Sequence, residues 1–550
     1  MGILLLLLLT FNGCSSEEFR KHDSLETAEA DQAQVDRASE KENNQVPTGN
    51  QEVVSEKWLA HYINGQQVGY DHETQIEQSS GKEKQLLTTQ TSKLQLLRDG
   101  QPFSIEAKVE ELLDANGQLV SFVTSTKMSG VDLVYQGKWL EKEETLQLQI
   151  LRSGQVTKTT NIADRGEDGL LGVDRSCRDQ PLKPGEQRVL RVFDPVLLHW
   201  VFVYLDAQSW ETTKLLKGEK RLLRVKMRHS SNLLEPGNKD GGVFRAEFWI
   251  DKEGEILKTV DATMGMTSYL VDSLEEANDT TKPPSFDLLQ ATLIRLNARL
   301  DRPFQTQSMV YAIELKDGKP ADFFAIGGNQ TLEPSADNPQ KAKLTVRAVS
   351  LPINSKERES ISAGEEGEPS PADSQPNDWL QSKDPKIREL AEAAKKLISP
   401  ESELTEDAQL AVALEKQVYR WMTTRNYSQG FASAVEAANS RTGDCTEHAV
   451  LLAALARASG FPARVAAGLV YTEHKNRPVM AYHMWTEIWL DGRWIPFDAT
   501  IGQGEIGAAH IKLAESDLAG NSPMAAFLPI VKLMQRLKIE FSENEVLYKK

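Results

Sequence analysis

From Trp58 to about Asp272 the chain is written in short runs that alternate apolar and polar residues and break at turn signals. Trp58 to Ile63 is followed by Asn64-Gly65, and Asp99-Gly100, Asn116-Gly117 and Asp251-Lys-Glu-Gly254 punctuate later runs. Alternation with period two sends one face of each run to a core and the other to solvent. Asn-Gly and Asp-Gly supply the positive φ that a two-residue hairpin needs. Phe244 to Ile250 alternates in the same way. Strands joined by hairpins restrict this part of the chain to an antiparallel sheet or half-barrel, either one large meander or two similar units without a clean repeat.

The pattern then changes twice. Met309–Leu315, followed by Asp317-Gly318, and Leu344–Val349 still read as strands, whereas residues 353–377 are rich in Ser, Glu, Pro and Gly, a linker composition. After that the spacing is helical. Asp384-Pro385 offers an N-cap and a proline for the first turn, and Ile387, Leu390, Ala391, Ala394, Leu397 and Ile398 recur on one face. A second helix is predicted from about Glu406 to Thr424, and a short third over Ala432–Ala438. Ile530, Leu533, Met534 and Leu537, after Pro529, suggest a packed C-terminal helix rather than a membrane one.

Composition narrows the function classes. The chain has 550 residues, enough for about three to four domains. Lys and Arg number 63 against 80 Asp and Glu, a net charge of −17 that argues against a nucleic-acid binder. The three cysteines, Cys14, Cys177 and Cys445, are far apart, so neither a disulfide framework nor a zinc ribbon is indicated. Cys177 reads as incidental.

Met1 to Ser16 reads as an export signal: an apolar run over residues 3–9, too short to span a bilayer, then Gly13-Cys14-Ser15-Ser16. The last stretch resembles a bacterial lipobox, whose cysteine becomes lipidated. Phe11 and Asn12 depart from the usual box, so a plain signal peptide stays open. Residues 15–55 hold almost no aromatic or branched apolar side chains after Phe19, and predict a disordered tether.

The chemistry concentrates between Arg441 and Thr500. In Gly443-Asp444-Cys445-Thr-Glu447, Asp444 can cap a helix with Glu447 as the reciprocal partner, which puts Cys445 at the first helical position. Free amides and the positive dipole end there favour a thiolate, while the Asp444 and Glu447 charges oppose it, so an imidazolium is needed as well. His483 is the candidate. With Asp491-Gly492 as a two-residue turn, Leu490 faces Arg493 and Trp485 faces Asp498, so His483, Trp485 and Asp498 share one sheet face. Asp498 is then diagonal to His483, with Cα atoms about 7–8 Å apart. A thiol that attacks, an imidazole that moves the proton and a carboxylate that fixes its tautomer make a Cys445-His483-Asp498 triad. Trp485, on the same face, is a candidate substrate contact. His448 near Cys445 supplies only a second ligand where zinc wants three or four, and no EF-hand loop calls for calcium, so no metal or other cofactor is implied.

The stretch Thr442 to Thr500 resembles the transglutaminase-like domain of bacteria, related in fold to papain-type proteases and arylamine acetyltransferases. The resemblance is carried by Gly443-Asp444-Cys445-Thr-Glu447, Leu455-Ala-Arg457-Ala-Ser-Gly460, Pro462-Ala-Arg464, Gly468-Leu-Val-Tyr471, Tyr482-His483-Met-Trp485-Thr-Glu487 and Trp494-Ile-Pro-Phe-Asp498. It implies Cys445 as nucleophile, His483 as general base and acid, Asp498 as orienter, and helices packed on an antiparallel sheet over residues 378–515.

The fold expected is therefore α+β: a papain- or transglutaminase-like core behind a large antiparallel β-rich region. Its divisions are a signal peptide and lipobox (1–14), the tether (15–55), a β-rich part (56–275), a further β-rich segment (276–352), the linker (353–377), the catalytic domain (378–520) and a C-terminal helix or tail (521–550). The function expected is acyl transfer at amide bonds of a protein or peptide substrate, through a thioester, in the cell envelope and held to a membrane by a lipid anchor. Water as acceptor makes a protease, amidase or deamidase, and a lysine amine makes a transglutaminase. The rival reading is a catalytically silent binding or scaffold protein.

Overall fold

The structure is a computed structural model that describes residues 52–549 except 81–82, 129–130, 153–154, 164, 166–167, 196, 231–241, 262–264, 279–283, 354–366, 400–401, 425–430, 520–529 and 531–532. The export signal, Cys14 and the tether up to residue 51 lie outside the described residues.

The alternating runs fold as one antiparallel sheet of fourteen strands. Strands β1 (Glu52–Ile63), β2 (Gln66–Ser80), β3 (Glu83–Arg98) and β4 (Gln101–Asp114) begin a meander that continues from β5 (Leu119–Met128) to β8 (Gln155–Ile162). A second meander runs from β9 (Gln187–Asp194) to β14 (Met266–Val271), and β14 pairs with β1, so the two meanders join side by side. Of the two arrangements left open, both features appear: two units, one continuous sheet. Its first strand starts at Glu52, inside the expected tether. Side chains from both meanders meet in one cluster, Leu113, Phe122 and Leu148 from the first with Phe193, Leu198 and Trp200 from the second. The sheet therefore curls until its two halves face each other.

Between the meanders, helix α1 (Gly172–Asp179) packs on the sheet. The fully buried Glu111 of β4 accepts bonds from the Leu170 amide at 2.5 Å and Arg175 Nη1 at 3.1 Å, which anchors this crossing. Elsewhere His61 bonds Ser268 at 2.8 Å and Asp71 at 2.9 Å, a chain across β14, β1 and β2. It braces three neighbouring strands at the point where the β1–β2 register shifts between His61 and Tyr62.

The segment expected as further β structure contributes to two other sheets. Strand β15 (Ile294–Arg295) belongs to a five-stranded sheet, while β16 (Thr306–Leu315), β17 (Gln330–Pro334) and β18 (Lys341–Arg347) form a separate sheet. The five-stranded sheet is completed by β19 (Ala463–His474), β20 (Arg477–Leu490), β21 (Arg493–Phe497) and β22 (His510–Ser516), in the order β15-β20-β19-β22 with β21 on β20. Four helices pack with it: α2 (Pro385–Ala394), α3 (Glu406–Trp421), α4 (Ala434–Ser440) and α5 (Cys445–Ala458). Asp384 caps α2 with Pro385 at its first position, as the spacing predicts.

Two divisions are corrected. The C-terminal part is not a helix or tail throughout: Ile530 and Leu533 are helical as expected and, with Met534, buried, but the chain turns at Gln535, whose φ is 58°, and Leu537–Tyr548 forms strand β23 on the edge of β16. Ile539 and Phe541 alternate inward there with the period of two that a strand imposes. The end of the expected linker also belongs to the folded body. Ser370 and Asp373 close a capped turn, Asp373 is buried, and the Asn377 side chain donates to the Asp517 carbonyl at 2.8 Å. Polar side chains fold this stretch locally where composition alone reads as a spacer.

Candidate active site

Helix α5 begins where the sequence places it. Asp444 is the N-cap, its Oδ1 accepting from the Thr446 amide at 2.9 Å and the Thr446 hydroxyl at 2.8 Å, and Glu447 completes the capping box by accepting from the Asp444 amide at 2.9 Å. The other Glu447 oxygen accepts from the Ala432 amide at 2.9 Å, tying the helix start to the entry of α4. Gly443 is dictated by this crowding: a Cβ there would lie 2.4 Å from Glu447 Cβ. Cys445 is the first helical residue and is 3 % exposed. Almost the whole helix is buried, so an amphipathic pattern is absent from it by necessity.

The hairpin is in the register that Asp491-Gly492 predicts. Asp491 has φ 52° and Gly492 φ 78°, Leu490 pairs with Arg493, and Thr486 with Phe497. Trp485 and Asp498 are next in line. His483 Nε2 and Asp498 Oδ2 are 2.7 Å apart, both side chains buried. Thr500 fixes the other carboxylate oxygen, donating from its amide at 3.0 Å and its hydroxyl at 2.5 Å. Strand β20 is laid across α5 by the bond from the Thr486 hydroxyl to the Ala449 carbonyl at 2.9 Å. His483 thus meets Asp498 through Nε2.

A residue that the sequence reading missed completes this cluster. His510 Nε2 lies 3.2 Å from the same Asp498 oxygen. It arrives on β22, on the far side of β19 from β20. No local motif marks it; only the three-dimensional pairing does. Burial lowers the His510 pKa against the pull of Asp498, so this ring is a neutral donor. Burial by itself would raise the Asp498 carboxyl, but His483 and then His510 overcome it and hold the group well below the usual carboxylate range. Asp498 is therefore a carboxylate throughout the working pH range.

Trp485 sits against both imidazoles, its ring 6.4 Å from His483 and edge-on to His510 at 5.4 Å. It is 3 % exposed, and among the described residues its indole N–H has no acceptor. Gly468, paired with His483, makes room for it: a Cβ there would meet Trp485 at 2.9 Å and the Ile511 carbonyl closer still. Further along the same face, Glu487 accepts from Arg464 at 2.8 Å and Lys512 at 2.9 Å, all three side chains nearly or mostly buried. Burial pushes Glu487 up to about 7 against the opposing pull of Arg464, and pushes Lys512 down to about 8. Arg464 is a structural partner in this network. Tyr471 accepts from the Leu300 amide at 3.1 Å.

Two more acids bear on the site. Burial first, and the neighbouring Asp444 second, push Glu447 up to about 8. Glu415 of α3, bonded to the Gly504 amide at 2.6 Å, is pushed well above its ordinary value, again mainly by burial. Both are neutral at moderate pH, so two of the buried acids near the dyad carry no charge.

His483, Asp498 and His510 also form a group with metal-ligating atoms within 4.8 Å of one another. Two ligands on one tetrahedral zinc at about 2.0–2.1 Å would stand about 3.3 Å apart. The 2.7 Å between His483 and Asp498 is a hydrogen-bond separation instead. His448, weighed as a ligand near Cys445, turns its Nδ1 to the Asp444 carbonyl at 2.6 Å.

No curated protein matches this chain. Among solved structures, a candidate cysteine protease from Cytophaga hutchinsonii is similar at 16 % identity and TM-score 0.25, over 42 % of this chain and 83 % of its own. A β-barrel-like protein of unknown function from Brucella abortus is similar at 10 % identity and TM-score 0.26, over 40 % of this chain and 98 % of its own. A candidate protease from Parabacteroides distasonis is similar at 11 % identity and TM-score 0.16, over 54 % of this chain and 63 % of its own. Residues 391–499, which hold Cys445, His483 and Asp498, match the model of the transglutaminase-like superfamily, and this part of the chain is a transglutaminase-like domain.

Proposed function

We propose that the chain is a cysteine-dependent acyl-transfer enzyme acting on amide bonds. The observation that carries this reading is the buried 2.7 Å bond between His483 and Asp498, on a sheet laid across the helix that starts with Cys445.

In the first step His483 takes the Cys445 thiol proton on Nδ1, and the sulfur attacks the amide carbonyl carbon. The tetrahedral intermediate collapses as the C–N bond breaks, and His483 gives its proton through Nδ1 to the departing amine. A thioester on Cys445 remains. In the second step His483 takes a proton from water, whose oxygen attacks the thioester carbonyl; the C–S bond breaks, His483 returns the proton to the Cys445 sulfur, and the acid leaves as product. A lysine amine in place of water gives a new amide. Asp498 keeps the imidazole in the tautomer that leaves Nδ1 available and stabilises it when protonated. The Cys445 amide, at a helix start, is one donor toward the oxyanion. Trp485, beside the dyad with an indole N–H that lacks an acceptor among the described residues, is assigned to contact the substrate.

We place the enzyme in the cell envelope, exported and held by a lipid on Cys14, with protein or peptide as substrate. Support for the location is the sequence of residues 1–16 alone. Among the described residues no helix is long and apolar enough to cross a membrane. Intact mass of the mature N-terminus tests the anchor: a diacylglycerol-sized increase on Cys14 supports it, and an unmodified N-terminus beyond residue 14 refutes it.

The enzymatic reading is tested by peptide-library turnover with and without an added amine, followed by mass spectrometry. Loss of an amide, or gain of the amine, that disappears in Cys445→Ala supports acyl transfer and tells hydrolysis from transamidation. A library left unchanged by the wild-type chain, identical to Cys445→Ala, favours the scaffold reading.

A further inference from the structure

We infer that Arg98, supplied by the β3–β4 hairpin of the large sheet, is a positioning residue for the nucleophile: it holds Asp444, the cap of the helix that presents Cys445, and so makes the reactivity of Cys445 depend on the docked β-sheet. The inference rests on Cys445 being the nucleophile.

The geometry is specific. Arg98 Nη2 donates to Asp444 Oδ2 at 2.7 Å across 346 residues of sequence. Asp444 divides its carboxylate between two tasks, with Oδ1 capping the helix and Oδ2 meeting the guanidinium. The two side chains are 2 % and 1 % exposed. A long cation is thus brought out of water at one point, and that point is one residue from the proposed nucleophile.

The tip that carries it is fixed on both sides. Asp99, with φ 50°, and Gly100, with φ 77°, make the tight turn, and Arg98 pairs with Gln101 across it. The Leu97 amide donates to the Phe286 carbonyl at 2.8 Å, and the Gly100 amide to the Asp287 carboxylate at 2.9 Å. The guanidinium carbon lies 5.7 Å from the centre of the Phe103 ring. Hairpin, turn and side chain are all held, so Arg98 has little freedom to lose when it binds the cap.

The consequence for the thiol follows from charge. A bare carboxylate at the N-cap would raise the free energy of a thiolate on the next residue, against the helix dipole. Paired with Arg98, that carboxylate keeps its capping role and loses most of its field at Cys445. Glu447, the second acid of the box, is neutral up to about pH 8 through burial, with Asp444 adding to the effect. Arg98 itself senses Asp444 first, then Cys445 and Glu447, each favouring its charged form against burial. Among the described residues, the titratable and charged groups around the start of α5 are Asp444, Glu447 and His448 of the helix itself, His483 with Asp498, His510 and Glu415 behind it, and Arg98 from the large sheet. Among them Arg98 is the permanent cation, and it lies outside residues 391–499 that match the family.

A purely structural Arg98 would affect folding but not the titration of the thiol. The test is therefore the pH profile of Cys445 alkylation by iodoacetamide in the full chain, read by peptide mapping, with a thermal melt for each variant. In Arg98→Met the midpoint is expected to rise by about one pH unit, which makes alkylation roughly tenfold slower below it. Arg98→Lys keeps the midpoint near wild type. Asp444→Asn retains the cap and lowers the midpoint, and adding Arg98→Met to it raises the midpoint again. A folded Arg98→Met with an unshifted midpoint overturns the inference. If Arg98→Met alone does not melt cooperatively, equal midpoints in Asp444→Asn and in the double variant overturn it instead. A wild-type Cys445 that is never alkylated above Cys445→Ala overturns the nucleophile itself, and the inference with it.

Discussion

His483 and His510 bond to one and the same oxygen of Asp498, at 2.7 and 3.2 Å, from strands on opposite sides of β19. The carboxylate is thus held by two rings and by Thr500, and its orientation does not depend on His483 alone. Replacing it should be costly and replacing its support mild. Asp498→Asn is expected to lower turnover by about 10³–10⁴-fold, because an amide can present the wrong partner to the imidazole. His510→Phe is expected to lower it by roughly tenfold, the effect of one lost hydrogen bond of about 1.4 kcal/mol. Steady-state rates on a substrate found by library screening check both.

The buried acids set the pH dependence of stability. Glu447 has its carboxyl raised from 4.5 to about 8 by burial and by Asp444. A raised acid binds its proton more readily in the fold than in the open chain, so stability is fully present at low pH and is lost as pH climbs toward about 8. Glu487, raised to about 7, acts with the same sign over a slightly lower window. Lys512, lowered to about 8, acts the other way and only above that pH. Melting temperature is therefore expected to fall between pH 5 and pH 8, and Glu447→Gln, which preserves the capping geometry, to flatten much of that slope. Thermal melts across this range decide it; an unchanged slope in the variant contradicts the assignment.

Strand β23 is the last strand of the described chain, and it covers β16 with Ile539 and Phe541 turned inward. Deleting residues 537–550 should expose the β16 edge and remove two core side chains, each worth about 2–4 kcal/mol. The expected result is a lower melting temperature and concentration-dependent association, visible by calorimetry and light scattering. A truncated chain that melts like the full one would show that this strand only decorates the sheet.

Much of this site was legible because its parts are local. Asp444, Cys445 and Glu447 form one capping signature, and Asp491-Gly492 fixes the register that puts His483 beside Asp498. Hairpin turns likewise announced the strands of the large sheet. What escaped is non-local. Arg98 and His510 meet Asp444 and Asp498 only after separate strands dock, and nothing in their flanking residues encodes those partners. Glu415 was hidden for another reason: a buried neutral acid looks like any helix surface glutamate in sequence. The stripe at Ile530 to Leu537 was legible in its first half only: Ile530 and Leu533 are helical and buried, but the chain turns after them and Leu537 opens a strand, which helical spacing over eight residues does not announce.

The central claim is that Cys445 is an activated nucleophile served by His483. The chain offers a clean internal control, because Cys177 is buried and burial pushes its thiol up to about 12, out of reach of mild reagents. The measurement is covalent labelling with a thiol-directed amide warhead at neutral pH, mapped by peptide mass spectrometry in wild type, Cys445→Ala and His483→Ala. The expected result is one adduct on Cys445, absent from Cys445→Ala and at least about 10²-fold slower in His483→Ala. Labelling of wild-type chain no greater than that of Cys445→Ala, at every pH from 5 to 8, would contradict it.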